Sequence, residues 1–234
     1  MLPEMIPWEL LDSVTVPGSG EVVSLHRRGG EFSINVDGSL LMNNLTHSSE
    51  DELARIGCGR MKGAGAARGR GGGLGRGFTL AAALARLGPD ASVDVAELLP
   101  AVVDWNRGPL SHLAGHPLRD KRVTVLQKDI ALVLRAERAA YDAILQDVDN
   151  GPEGQTMRSN DWLYGDAGLA AAAAALRPNG ILALWSAKPN KKFVKRMRKA
   201  GFEVEEVPVR GRDRYRGAHH IIWAARLLSV RRGR

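Results

Sequence analysis

Cysteine is all but missing from this 234-residue chain, in which Cys58 stands alone. One thiol excludes an internal disulfide and any zinc site built on several cysteines, the usage of a chain kept in a reducing compartment. Long apolar runs are missing too: the longest, Gly168 to Leu176, falls far short of the roughly 20 residues that a membrane-crossing helix requires. The N-terminal residues include Glu4, Glu9 and Asp12 and no continuous apolar stretch, so neither a secretion signal nor a basic transit peptide is recognisable. A cytoplasmic protein without a membrane partner is the expectation. No Gly-x-Ser-x-Gly elbow and no phosphate-loop Gly-Lys-Ser/Thr motif is present. His219 and His220 have no Cys or Asp cluster beside them, so no metal is expected. The scattered tryptophans, Trp105, Trp185 and Trp223 among them, fall on apolar faces and read as core.

What is present is an uneven charge. Residues Lys188 to Arg234 hold 15 Lys or Arg against 4 Asp or Glu, so this segment is strongly basic, whereas the preceding 187 residues are mildly acidic within a whole-chain charge of +7. Such a tail is either a solvated basic face or a surface for RNA or another polyanion. Hydrophobic residues make up 44% of the chain, enough for one sizeable core.

Residues 21 to 43 read as a three-stranded meander, Glu21–Arg28, Glu31–Val36 and Ser39–Asn43, joined by Gly29-Gly30 and Asp37-Gly38 turns. Ser48 or Ser49 is placed to cap a helix over Glu50–Ile56. Gly57 to Gly77 then holds 10 glycines in 21 residues. Beyond it helices and strands alternate. Helices are predicted over Phe78–Leu87, Pro100–Arg107, Ile130–Glu137, Asp166–Leu176 and Lys191–Ala200. Strands are predicted over Ser92–Leu98, Arg122–Gln127, Ala143–Asp147, Ile181–Ser186, Glu203–Val209 and His219–Leu227. The order implies an α/β fold: a Rossmann-like, doubly wound, mostly parallel sheet over residues 49–234 with an antiparallel C-terminal edge, preceded by a small β-meander domain over residues 1–48.

Ligands of such sheets bind beyond the carboxyl ends of the strands. Four features stand there. The loop Gly73-Leu74-Gly75-Arg76-Gly77 opens a helix and lets backbone N–H groups approach a ligand. Glu97 ends the following strand, where a carboxylate can accept both hydroxyls of a ribose. Asp129 follows the next strand, where it can meet the exocyclic amine of a base or cap the helix behind it, two roles that are compatible. Asp147-Val148-Asp149-Asn150-Gly151-Pro152 ends an apolar strand in two carboxylates and an amide. These either orient and deprotonate an amine or stabilise a turn.

The order Gly71-Gly72-Gly73-Leu74-Gly75, Val95-Ala96-Glu97-Leu98, Lys128-Asp129, Tyr141-Asp142-Ala143-Ile144-Leu145 and Asp147 to Pro152 resembles spermidine synthase-like proteins of the class I S-adenosylmethionine-dependent methyltransferase superfamily. The resemblance runs from about Trp8 to Leu227. It implies a transferase that moves an aminopropyl or methyl group from decarboxylated S-adenosylmethionine or S-adenosylmethionine to a small amine, acting as a homodimer. Gly73, Gly75 and Gly77 would line the cofactor, Glu97 hold its ribose and Asp129 its adenine, while Asp147 and Asp149 act on the amine. Three positions depart from the aminopropyltransferase pattern. Leu74 replaces the acid of its Gly-Gly-Gly-Asp-Gly-Gly loop, Arg76 replaces a glycine, and Asn150 stands near its second strand-end aspartate. The segment Ala66-Ala67-Arg68-Gly69-Arg70-Gly71-Gly72 falls where relatives have their buried central strand, yet arginine and glycine are poor strand formers and buried arginine is costly unless paired.

Overall fold

The computed structural model describes residues 6–61, 67–148, 151–152, 160–210 and 219–229. The chain begins with an antiparallel sheet of four strands in sequential order, β1 (Glu9–Thr15), β2 (Val22–Arg28), β3 (Glu31–Val36) and β4 (Ser39–Asn43). The sequence reading has three of them. β1 escapes it because only Leu11 and Val14 of its seven residues turn toward the core, while Leu10, Asp12 and Ser13 are exposed. Asp37 and Gly38 both take positive φ, as a two-residue hairpin turn requires. Helix α1 (Ser48–Gly59) follows, with Glu50 and Asp51 in its first turn. Its N-cap is His47 rather than a serine, and the His47 ring meets Asp51 at 3.0 Å.

The remaining elements are β5 (Arg68–Gly72), α2 (Phe78–Leu84), β6 (Ser92–Ala96), α3 (Pro100–Arg107), β7 (Val123–Leu126), α4 (Ile130–Ala136) and β8 (Tyr141–Gln146). After them come α5 (Asp161–Tyr164), α6 (Asp166–Ala175), β9 (Leu176–Ser186), α7 (Lys191–Lys199), β10 (Phe202–Arg210) and β11 (His219–Leu227). They build one seven-stranded sheet in the order β10-β11-β9-β8-β5-β6-β7. The five strands from β9 to β7 are parallel, and β11 runs antiparallel to both its neighbours. One face of the sheet packs on α1, α2, α3 and the meander; the other packs on α4, α5, α6 and α7. The doubly wound sheet with an antiparallel edge is therefore present. Helix α6 ends at Ala175, and the following Arg177-Pro178-Asn179-Gly180 interrupts the start of β9: pairing jumps from Tyr141↔Leu176 to Ala143↔Ile181, with Asn179 at φ 64°.

The glycine- and arginine-rich segment does form the central strand. β5 pairs with β6 from Arg68↔Ser92 to Gly72↔Ala96 and with β8 from Gly69↔Ala143 to Gly72↔Gln146. Its arginines are paired across the strands. The Arg70 side chain, fully buried, donates from Nη2 to the Tyr141 hydroxyl and lies 3.6 Å from Asp94 on β6. That hydroxyl donates to Asp94 at 3.1 Å, and Arg68 Nη2 meets the same carboxylate oxygen at 2.9 Å. Both guanidinium groups lie over the Tyr141 ring, at 4.8 Å for Arg68 and 4.6 Å for Arg70. One buried acid thus serves two cations, while Nε and Nη1 of Arg70 find no partner among the described residues.

Gly69 and Gly71 leave a void of about 20 Å³ on the opposite side, against Leu80, Leu87, Val93, Val95 and Leu145. A Cβ on Gly71 would come no closer than 3.8 Å to any neighbour. Gly71→Ala is therefore expected to raise the urea midpoint by about 1 kcal/mol of stability, from the strand glycine removed and the methyl buried. Asp94→Ala, which strands a buried guanidinium, is expected to lower it by about 3 kcal/mol or more. A neutral Asp94→Ala would show that the pairing does not hold the strand.

Candidate active site

β5 runs directly into Gly73-Leu74-Gly75-Arg76-Gly77, which turns the chain into α2. Gly73, Gly75 and Gly77 all have left-handed backbones, at φ 79°, 52° and 81°. At Gly73 a side chain is excluded outright, because its Cβ would lie 2.8 Å from the Asp147 carbonyl oxygen. The loop is held from below. Gly73 N–H donates to the Ala96 carbonyl at 3.0 Å, Leu74 N–H to Glu97 Oε2 at 2.9 Å, and Asn106 Nδ2 to the Gly75 carbonyl at 2.7 Å.

Glu97 is buried, and its second oxygen accepts the Leu99 N–H at 2.9 Å. Burial pushes its pKa up, opposed by the backbone amides of Leu99, Leu74 and Leu98. The glutamate therefore ties the glycine loop to the end of β6. Asp129 is the N-cap of α4 and accepts the Ala131 N–H at 2.8 Å.

A cleft of about 290 Å³ opens on the meander side of the loop. Of the residues singled out from sequence, Gly73, Gly75 and Asp147 line it, whereas Gly77, Glu97 and Asp129 are not among its lining residues. Asp149 and Asn150 lie outside the described residues. Asp147 follows β8 and accepts a hydrogen bond from Thr79 Oγ1 to its Oδ2 at 2.9 Å. Desolvation, followed by the nearby Glu50 charge, pushes its pKa up to about 7, against the Thr79 bond and the Arg76 charge.

Sequence reasoning missed several residues of this cleft. Arg76 is buried, and its guanidinium reaches out of the loop to Glu50 and to the carbonyl of Asn43, with Thr46 O at 3.4 Å. Burial lowers its pKa, with Glu50 and Asp147 opposing. Glu50 also accepts the Ser49 hydroxyl at 2.7 Å. Trp185, read as core, instead stands half-buried in the cleft wall with its ring centre 4.8 Å from that of His220. Its position at the carboxyl end of β9 was the available signal. Arg76 showed only as a departure from a loop pattern, and Glu50 only as a first-turn acid. Trp105 and Trp223 are core as expected, and Trp105 Nε1 also donates to Asp12 of β1 at 2.7 Å, tying the meander to α3.

No protein-family model and no curated protein matches the chain. Solved structures do. A spermidine synthase in complex with the transition-state analogue AdoDATO superposes with a TM-score of 0.72 at 15% identity, covering 93% of this chain and 72% of that one. The spermidine synthase from Thermotoga maritima gives 0.73, with the same identity and coverage. The chain has the spermidine synthase fold.

The charges around Asp147 make its titration a direct test of the cleft. In ¹³C carboxyl NMR, Thr79→Val is expected to raise its pKa above about 7, and Glu50→Gln to lower it. Because the folded value exceeds the ordinary 3.8, the native state binds the extra proton between those two values. The contribution of Asp147 to stability therefore falls as pH rises from 3.8 to about 7 and is constant above. Unmoved titration in both variants would contradict the arrangement.

Proposed function

We propose that this chain is a transferase that uses S-adenosylmethionine or its decarboxylated form and moves a methyl or aminopropyl group to an amine acceptor. The observation that carries this reading is the place of Asp147: a carboxyl group at a strand end, facing a cleft beside a glycine loop, where desolvation pushes its pKa up to about 7. An amine attacks only when deprotonated, and a carboxylate of raised pKa is a stronger base than an ordinary one. The AdoDATO complex of a spermidine synthase with the same fold supports the assignment.

The residues present fit an adenosyl sulfonium cofactor. At Gly73 and Gly75 the loop presents backbone without side chains, Glu97 lies against the loop, and the Asp147 carboxylate favours a cation at the cleft. Gly73, Gly75 and Gly77 would line the cofactor, Glu97 would accept its ribose hydroxyls with the lone pairs its amide partners leave, and Asp129 would accept its adenine amine. When bound, the cofactor supplies an electrophilic carbon attached to a sulfonium. Asp147 would orient the acceptor amine and take the proton it releases, while the carbon–sulfur bond that breaks leaves a neutral thioether. Asp149 follows two residues later and is assigned to the same amine.

A binding panel tests this. Calorimetry with S-adenosylmethionine, decarboxylated S-adenosylmethionine and methylthioadenosine is expected to give heat with at least one, and silence from all three would sink the proposal. Asp147→Asn is expected to leave that binding within about threefold and to reduce turnover roughly 100-fold or more. Asp129→Asn keeps a competent N-cap, so a loss of cofactor affinity at unchanged melting temperature isolates the adenine contact.

Helix α7 favours an additional partner, a polyanion such as RNA. Its apolar face, Phe193, Val194 and Met197, is buried, while Lys191, Lys192, Lys195, Arg198 and Lys199 are exposed. Retention of RNA on a filter is expected to fall steeply with added salt and to weaken in a Lys191→Glu/Lys195→Glu variant. Salt-independent retention would speak against it.

A further inference from the structure

We infer that Arg76 determines acceptor specificity: by locking Glu50 out of substrate recognition, it makes the cleft a site for a molecule with one amino group on an apolar body, not for a diamine. The inference rests on the transferase reading above. Among the described residues, Glu50 and Asp147 are the two carboxylates that line the cleft. Both oxygens of Glu50 are engaged, Oε1 by the Arg76 guanidinium and Oε2 by the Ser49 hydroxyl. The clamp is buried and held at several points: the side chains of Arg76 and Glu50 are 5% and 15% exposed, and the same guanidinium meets backbone carbonyls at Asn43 and Thr46, where the meander passes into α1. Asp147 is different. Its Oδ2 takes the Thr79 hydroxyl, and its Oδ1 carries no hydrogen bond among the described residues.

Among the described residues the cleft therefore offers one open carboxylate oxygen, for one ammonium or amine. Around it stand Leu40, Leu41, Met42, Phe78 and Trp185, surfaces suited to the hydrocarbon part of an acceptor. A second ammonium entering the cleft would find Glu50 already paired with Arg76 and no free carboxylate to replace the hydration it gives up. A desolvated charge left without a partner is a specificity device against the diamine. Arg76 is thus a positioning residue that acts through Glu50 and touches neither reacting atom.

The test is calorimetric titration of the full chain with butylamine, 2-phenylethylamine and 1,4-diaminobutane, with and without S-adenosylmethionine or methylthioadenosine. The wild-type chain is expected to bind either monoamine at least roughly tenfold more tightly than the diamine. Arg76→Gly, which frees Glu50, is expected to reverse the order, and Arg76→Gly/Glu50→Gln to remove the diamine gain. Arg76→Lys, which keeps the charge, retains the wild-type order and supplies the comparison if the glycine variant fails to melt cooperatively. A wild-type preference for the diamine, or absence of any amine binding, overturns the inference. Cofactor heat reports separately, so its loss condemns the transferase reading and its persistence leaves that reading standing while the specificity claim falls.

Discussion

The fold depends on one buried acid. Asp94 holds Arg68 and the Tyr141–Arg70 pair together across three adjacent strands, and without it the central strand of the sheet would bury the Arg70 guanidinium with nothing to neutralise it. Everything functional hangs from that strand. β5 ends in the glycine loop, so the strand's position fixes where the loop meets Glu97 below it and Asp147 beside it. Backbone hydrogen bonds to β6 and β8 are indifferent to side chains, which is why glycine suffices for the ladder once the arginines are paired.

A second ion pair, at the other end of the loop, shapes the cleft. Arg76 leaves the loop and closes on the segment joining β4 to α1, so the meander is not merely packed on the sheet but charge-linked to the loop. The result is asymmetric. Glu50 is paired with Arg76, whereas desolvation pushes the Asp147 pKa up to about 7 against its Thr79 hydrogen bond. The two carboxylates that line the cleft among the described residues thus sit in different environments, one ion-paired and one with its pKa raised by desolvation.

Much of this was legible. The strict alternation of elements after Phe78 reveals the doubly wound sheet, because buried parallel strands and amphipathic helices leave different periods in the sequence. The glycines at 73, 75 and 77 announce left-handed backbone, and Asp147 announces itself by ending an apolar strand. Less legible were β1, whose seven residues show little alternation, and β5, whose propensity argues against a strand. The partners that rescue β5, Asp94 and Tyr141, are 24 and 71 residues from Arg70, and no local pattern joins them.

The sequence by itself determined most of the order of elements after Phe78, the need for glycine in the loop and the acids at the strand ends, since each follows from local backbone geometry or from hydrophobic period. Only the tertiary structure decided that two arginines could occupy the sheet's centre, that Glu97 and Asp129 spend hydrogen bonds on the loop and the α4 cap, and that Arg76, Glu50, Trp185 and His220 share a cleft with Asp147. Charges and hydrogen bonds act across space between residues far apart in the chain, and their partners exist only once the strands are side by side.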